Sequence, residues 1–166
     1  MHNISIVVAI AKDNYAIGYK NQLLWSLPDD MKRFKHLTTG HTVVMGRNTF
    51  LSLPKGALPN RRNIVITDNH DEKFEACEMA YSIDDVLKLT ADDNEVFIMG
   101  GASIYRQFLP LANKLYLTFV EDSPEADTYF PKIDFEQWKV VAKSYHPVDG
   151  KHKVAFEFVD LELDEN

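Results

Sequence analysis

Three short runs of this chain, IVVAI at 6–10, VVM at 43–45 and VFIM at 96–99, are apolar at every position rather than at alternate ones. A strand with one wet face alternates apolar and polar residues, so unbroken runs belong to a sheet covered on both faces. This confines the chain to an α/β fold with strands buried at its centre. Strands are expected at 4–10, 42–45, 63–67, 95–99, 114–121, 138–146 and 153–163, with a weaker candidate at 74–80. The last two strands flank a turn-rich segment from His146 to Lys151 and predict a C-terminal antiparallel hairpin.

Helix signals fall between the strands. Pro28 can open a helix running to about Leu37, with Gly40 beyond its end. Ser82 offers a cap for a helix through Val86 and Leu89, and 103–109 forms another, closed by Pro110. Segments 14–24 and 53–60 are left as long loops, which in compact domains are often functional. With 166 residues and no repeat or linker, 1–166 is expected to form a single domain. The single cysteine excludes an internal disulfide framework and a multi-cysteine zinc site. A net charge of -7 argues against nucleic-acid binding. The apolar run near the N-terminus stops at Lys12, too short for a membrane span and without a basic segment before it, so the cytosol is the expected location.

Chemistry enters with Asp30. It lies three residues after Leu27 and four before Phe34, on the apolar stripe of its helix with Met31 and Leu37, whereas Asp29, Lys32, Arg33, Lys35 and His36 fall largely opposite. A carboxylate among apolar neighbours needs a raised pKa, a partner or a ligand. A first-turn aspartate also suits the helix dipole, so a plain capping role stays open beside that of a proton donor.

Two strand–glycine–helix junctions supply anion sites. Met99-Gly100-Gly101-Ala102-Ser103-Ile104-Tyr105 is one, and Met45-Gly46-Arg47-Asn48-Thr49 repeats the arrangement with an arginine. Glycine lets backbone N–H groups approach a phosphate closely, and two junctions on one sheet edge suit a phosphate-bearing cofactor. Arg61 and Arg62 follow a turn, where one can face solvent and the other a carboxylate in the cleft. The six histidines lack ligand spacing, Cys77 has no Cys–His neighbourhood, and no GxSxG occurs, so no metal site is expected.

In order along nearly the whole chain stand Val8-Ala9, Ile17-Gly18, Trp25-Ser26-Leu27-Pro28 leading to Asp30 and Phe34, Met45-Gly46-Arg47 with Thr49, and Leu58-Pro59 with Arg61. Met99-Gly100-Gly101, Tyr105, 115–118 and 127–131 follow. This series resembles dihydrofolate reductase. The resemblance implies a single-domain fold with a central, mostly parallel twisted sheet, flanking helices and the C-terminal hairpin. It implies NADPH-dependent reduction of 7,8-dihydrofolate to 5,6,7,8-tetrahydrofolate, with hydride going to C6 and a proton to N5.

By the same resemblance, Asp30 meets the pterin and assists protonation, with Thr118 steadying its carboxylate. Leu23 and Trp25 border the catalytic site, and Tyr105 lies beside nicotinamide and substrate. Met31, Phe34, Leu53 and Leu58 form substrate walls, and Arg61 grips the glutamate tail. Val8 and Met99 offer backbone carbonyls to antifolates. For the cofactor, Ala9, Ile17 and Gly18 address the nicotinamide, and Gly100, Gly101, Ala102, Ser103 and Ile104 the diphosphate. Gly46, Arg47, Asn48, Thr49, Thr67 and Asp68 surround the adenosine side, with Arg47 toward the 2′-phosphate. Segment 14–24 becomes a lid. A monomer without an obligate protein partner is implied.

Three departures stand out. Leu24 replaces the usual proline before Trp25, the first loop is one residue longer than common, and Asp68 stands where relatives carry a basic or small polar residue. Turned inward, Asp68 would oppose the 2′-phosphate. Two other readings of the residues remain at this point: a reductase of similar fold acting on a pyrimidine ribosylamine, and a nucleotide-binding module without redox chemistry.

Overall fold

A computed structural model describes residues 3–20 and 22–164. The chain runs β1 (Ile4–Ala11), β2 (Ala16–Tyr19), β3 (Gln22–Leu23), α1 (Pro28–Thr38), β4 (Thr42–Gly46), α2 (Arg47–Leu51), β5 (Arg62–Ile66) and β6 (Cys77–Ala80). It continues through α3 (Ile83–Leu89), β7 (Val96–Ile98), α4 (Ala102–Phe108), a 3-10 turn (Leu109–Leu111), β8 (Lys114–Val120), β9 (Thr128–Tyr129), β10 (Trp138–His146) and β11 (Phe156–Leu163).

Eight strands form one sheet in the order β10-β11-β8-β1-β7-β4-β5-β6. Every pairing from β8 to β6 is parallel, and β11 runs antiparallel to both β8 and β10. The unbroken apolar runs are therefore central strands. In β1, Ile4, Ile6, Val8 and Ile10 face a layer containing Ile104, Tyr105 and Phe108 of α4 and Val86 of α3. Val7 packs with Val43, Met45, Phe50 and Phe97 on the other face, beside Leu37 of α1. Further along that face, Ala9 joins Leu27, Val120 and Phe156. The apolar cover is thus divided into two clusters, and α1 runs from one to the other.

The supports of α1 come from far along the chain. Its N-cap residue, Leu27, has no side-chain acceptor to offer. Instead the Asp29 backbone N–H donates to Nε2 of His152, whose ring is buried and whose Nδ1 lies 2.9 Å from Asp149 Oδ1. His146 Nε2 contacts Asp29 Oδ2 at 2.9 Å. The α3 start is local: Ser82 Oγ accepts the Asp85 N–H at 3.0 Å, and Asp85 accepts the Tyr81 N–H at 2.9 Å.

Several boundaries differ from expectation. The final strand starts at Phe156 rather than at 153, because the preceding residues form the turn that aims His152 at α1. Only Cys77–Ala80 of the 74–80 candidate is a strand, since Phe74 stacks on Phe50 instead, with ring centroids 4.5 Å apart. Segment 14–24 is not an open loop. Its β2 pairs with β3 and with β9 in a second, three-stranded sheet, and the Phe130 N–H donates to Tyr15 O at 2.9 Å. Pro110 sits inside the 3-10 turn, where its missing N–H costs no hydrogen bond. No described helix is long and apolar enough to cross a membrane.

His152→Ala is expected to lower the unfolding free energy by roughly 2–4 kcal/mol, combining a lost helix-end acceptor with a cavity. Urea denaturation checks this. A change under about 0.5 kcal/mol would show that the ring does not support α1.

Candidate active site

Asp30 lies in the first turn of α1 on the side turned toward the sheet, where Tyr116 and Thr118 of β8 alternate with Leu115 and Leu117 of the opposite layer. The Thr118 hydroxyl donates to Asp30 Oδ1 at 2.5 Å. Burial pushes the Asp30 carboxyl above its ordinary value, and the Thr118 hydrogen bond and the Arg33 charge oppose that rise. Arg33 is itself committed elsewhere, to Asp160 of β11 and to the Phe158 ring, 4.5 Å away. Asp30 is therefore an acid with one hydroxyl partner in poorly solvated surroundings, suited to holding a proton and releasing it.

Tyr105 belongs to the same region. Its hydroxyl donates to Val7 O at 2.9 Å, and burial together with the Asp30 charge raises its pKa, so it stays protonated. The link runs to Val7, whose side chain faces α1, whereas the Val8 side chain lies in the opposite layer. Val7 was not among the expected residues, and the alternation of β1 about Ile6 and Val8 was the signal available for it. Trp25 Nε1 donates to Asp122 Oδ2 at 3.0 Å. Phe34 is half-buried, and Leu53, Leu58 and Met99 pack beside the second cluster.

Two expected site residues stand apart. Leu23 is 87% exposed, because β3 is the outer strand of its small sheet and holds the side chain away from the described core. Met31 is 66% exposed, one helical step from Asp30 at the margin of the apolar stripe. Their contribution to a wall would depend on a ligand reaching them.

At the carboxyl edge of the sheet, the Gly46 N–H donates to Gly100 O at 2.9 Å, joining the ends of β4 and β7. A cis peptide links Gly100 to Gly101, and Gly100 has φ +125°. A Cβ at Gly100 would sit 3.3 Å from Thr49 Oγ1 and 3.4 Å from Tyr105 Oη, and one at Gly46 would sit 3.2 Å from Ile104. Side chains here would force apart the two strand ends and α4. The first N–H groups of α4, at Ala102, Ser103 and Ile104, have no side-chain cap and no acceptor elsewhere among the described residues. That donor set fits a diphosphate. Ala9 and Gly18 are partly buried, Ile17 is buried in the α4 layer, and Asn48 and Ser103 face solvent.

The arginines separate by partner. Arg62 is neutralised by Glu78 and by Asp93, 3.1 Å away. Arg61 has no carboxylate partner among the described residues; it donates to Pro59 O at 2.9 Å and Thr38 Oγ1 at 3.1 Å. Burial lowers its pKa. On the adenosine side, Asp68 is exposed and makes no contact with Arg47. Glu72 makes that contact instead, at 2.7 Å. Asp68 is exposed just after β5, and the carboxylate that pairs with Arg47 is Glu72 rather than Asp68.

A half-buried acid on one sheet face, next to an edge whose free N–H groups suit phosphates, fits an α/β enzyme that works with a nucleotide cofactor. The dihydrofolate reductase family model matches residues 3–163. A dihydrofolate reductase of Bacillus subtilis is 40% identical over 149 residues, covering 90% of this chain and 88% of its own. The type 3 dihydrofolate reductase of Salmonella typhimurium is 42% identical over 158 residues, covering 95% and 96%. A solved dihydrofolate reductase from Enterococcus faecalis, complexed with NADP(H) and RAB-propyl, superposes with a TM-score of 0.91 at 31% identity, covering 98% and 97%. The chain belongs to the dihydrofolate reductase family, and its activity is the NADPH-dependent reduction of dihydrofolate to tetrahydrofolate. The ribosylamine reductase and non-catalytic readings are set aside by these matches.

The raised pKa of Asp30 makes a stability prediction. The folded protein keeps this proton to higher pH than the unfolded chain, so the stability it contributes is complete below the unfolded carboxyl pKa and is lost as pH rises through the folded value. Asp30→Asn should therefore be more stable than the parent at neutral pH, with the gap closing in acid. Denaturant titrations across pH check it, and an Asn variant less stable at neutral pH would overturn it.

Proposed function

We propose that Asp30 delivers the proton consumed when 7,8-dihydrofolate and NADPH, with one proton, become tetrahydrofolate and NADP+. The observation carrying this reading is a half-buried carboxyl, raised in pKa by that burial and bonded only to Thr118 among the described residues. When bound, NADPH supplies the hydride, which goes to C6 of the pterin. Asp30 holds the pterin edge and supports protonation at N5, while Thr118 fixes which carboxylate oxygen is occupied. Tyr105 stays neutral beside it, its hydroxyl held by Val7 and its ring, packed on Phe130, placed to favour positive charge developing on the neighbouring ring system.

The remaining assignments rest on the resemblance to the family. Phe34, Leu53 and Leu58 pack against the pterin and the aminobenzoyl portion, and unpaired Arg61 takes the tail carboxylate, consistent with its lack of an acidic neighbour. Ala9, Ile17 and Gly18 address the nicotinamide. Gly100 to Ile104 hold the diphosphate, and Arg47, Thr49 and Thr67 the adenosine side. Antifolates occupy the pterin position, with the backbone carbonyls of Val8 and Met99 as acceptors. The continuous eight-stranded sheet and the match over 3–163 support a single domain across 1–166, and the family resemblance implies a cytosolic monomer.

Two substitutions test this division of roles. Asp30→Asn should fold yet lose at least ~100-fold in reduction near neutral pH, with a smaller loss in acid where solvent can protonate the substrate. Activity within threefold of the parent from pH 5 to 9, followed by consumption of reduced cofactor, would reject the role. Arg61→Ala should weaken dihydrofolate by about 10- to 150-fold, the worth of a charged bidentate pair. A pterin without the glutamate tail should bind as before. Equal weakening of both in equilibrium titrations would show that Arg61 supports the fold instead.

A further inference from the structure

The Glu72 carboxylate sits where the cofactor reading places a phosphate. Oε2 accepts from Arg47 Nε at 2.7 Å and Oε1 accepts from the Thr67 hydroxyl at 2.7 Å, so both oxygens are held by the two residues assigned to the adenosine side. The Glu72 side chain is only 15% exposed, although it belongs to a surface segment. Arg47 gives Glu72 its Nε alone, and its terminal nitrogens have no other acceptor among the described residues. The Arg47 and Thr67 hydrogen bonds hold the Glu72 carboxyl below its ordinary range, so it is an anion at neutral pH.

The segment carrying Glu72 is built to place it there. The Glu72 N–H donates to Asn69 O at 3.1 Å, the Asn69 N–H to Thr67 Oγ1 at 3.2 Å, and the Asp71 N–H to Asn69 Oδ1 at 3.0 Å. On one side His70 stacks on Tyr81 with centroids 4.1 Å apart, and on the other Phe74 stacks on Phe50 of α2, the helix that begins with Arg47. Two aromatic pins thus hold Glu72 against the arginine from both directions.

We propose that Glu72 is a specificity-determining residue of the cofactor site: its carboxylate occupies the anion cradle of Arg47 and Thr67, yields it to the 2′-phosphate of NADPH, and accepts the ribose 2′-hydroxyl of NADH. The proposal rests on the assignment of Arg47 and Thr67 to the 2′ position. A dianionic phosphate and a carboxylate compete for one guanidinium, so NADPH binding includes the work of displacing Glu72. NADH brings a hydroxyl donor and no charge, and an acidic side chain is the usual acceptor for that group in dinucleotide sites. The effect of Glu72 is to narrow the preference for NADPH over NADH.

The test measures dissociation constants of NADPH and NADH for the parent, Glu72→Gln, Glu72→Ala and Arg47→Ala, with the Arg47 Nε–H signal followed by NMR. Both Glu72 variants should tighten NADPH by roughly three- to tenfold, the range for a partly exposed charge. Neither should tighten NADH, and Glu72→Ala should weaken it. In the parent, NADPH should shift the Arg47 Nε–H signal away from its carboxylate-bonded position, and NADH should leave it there. An NADPH to NADH ratio unchanged in both Glu72 variants, or equal shifts for both cofactors, overturns the proposal. If Arg47→Ala nevertheless collapses the ratio, the phosphate assignment survives and only the role of Glu72 falls. If Arg47→Ala leaves the ratio intact, the assignment and the proposal fall together.

Discussion

Because β1 has a parallel neighbour on each side, β8 and β7, neither of its faces can meet water, and both must be roofed. One face is closed by α3 and α4 and the other by α1, α2 and the segment around Leu53 and Leu58. Parallel pairing also sends the strands β7, β4 and β5 to one edge, so Gly100, Gly46 and Thr67 finish side by side. The cofactor edge is thus a consequence of strand direction before any ligand is considered.

The acid is a local exception to that roofing. The apolar cover of the α1 face breaks between the Leu37 side and the Leu27 side, and Asp30 with Thr118 lies along that break. Burial makes the charged form of Asp30 unfavourable, which costs stability at neutral pH and raises its pKa, as the proposed proton donor requires. The helix that carries it is supported from the other end of the chain. His152 satisfies an N–H that Leu27 leaves open, and Arg33 is anchored to β11, so the C-terminal hairpin acts as scaffold for the acid.

The two segments that border the cleft are more ordered than their composition suggests. Segment 14–24 is tied into a small sheet through β9 by backbone pairing, and side-chain bonds add to it: Asn14 Oδ1 accepts the Ala16 N–H and Asp127 Oδ2 the Lys20 N–H. At that sheet's outer edge Leu23 stands exposed, and Leu24 in place of proline leaves the backbone there less restricted. The segment after β5 is held by aromatic stacking on both sides, which fixes Glu72 beside Arg47.

Periodicity and local chemistry suffice for the central strands, the start of α1 at Pro28, the Ser82 cap, and Asp30 as an acid on an apolar stripe, since each depends on residues within a few positions of one another. The ordered series of short motifs made the family legible as well. Contacts between distant residues are a different matter. That β2 gains a second partner in β9, more than a hundred residues away, and that the final strand begins only after the turn carrying His152 to α1, could not be read from neighbouring residues. Which arginine remains free was decided by Glu78 and Asp93 reaching Arg62 but not Arg61. Likewise Asp68 and Glu72 are equally acidic in the sequence. Only the turn after β5 and the stacking of His70 and Phe74 direct one to water and the other to Arg47, because side-chain direction is set by the path of the backbone rather than by residue type.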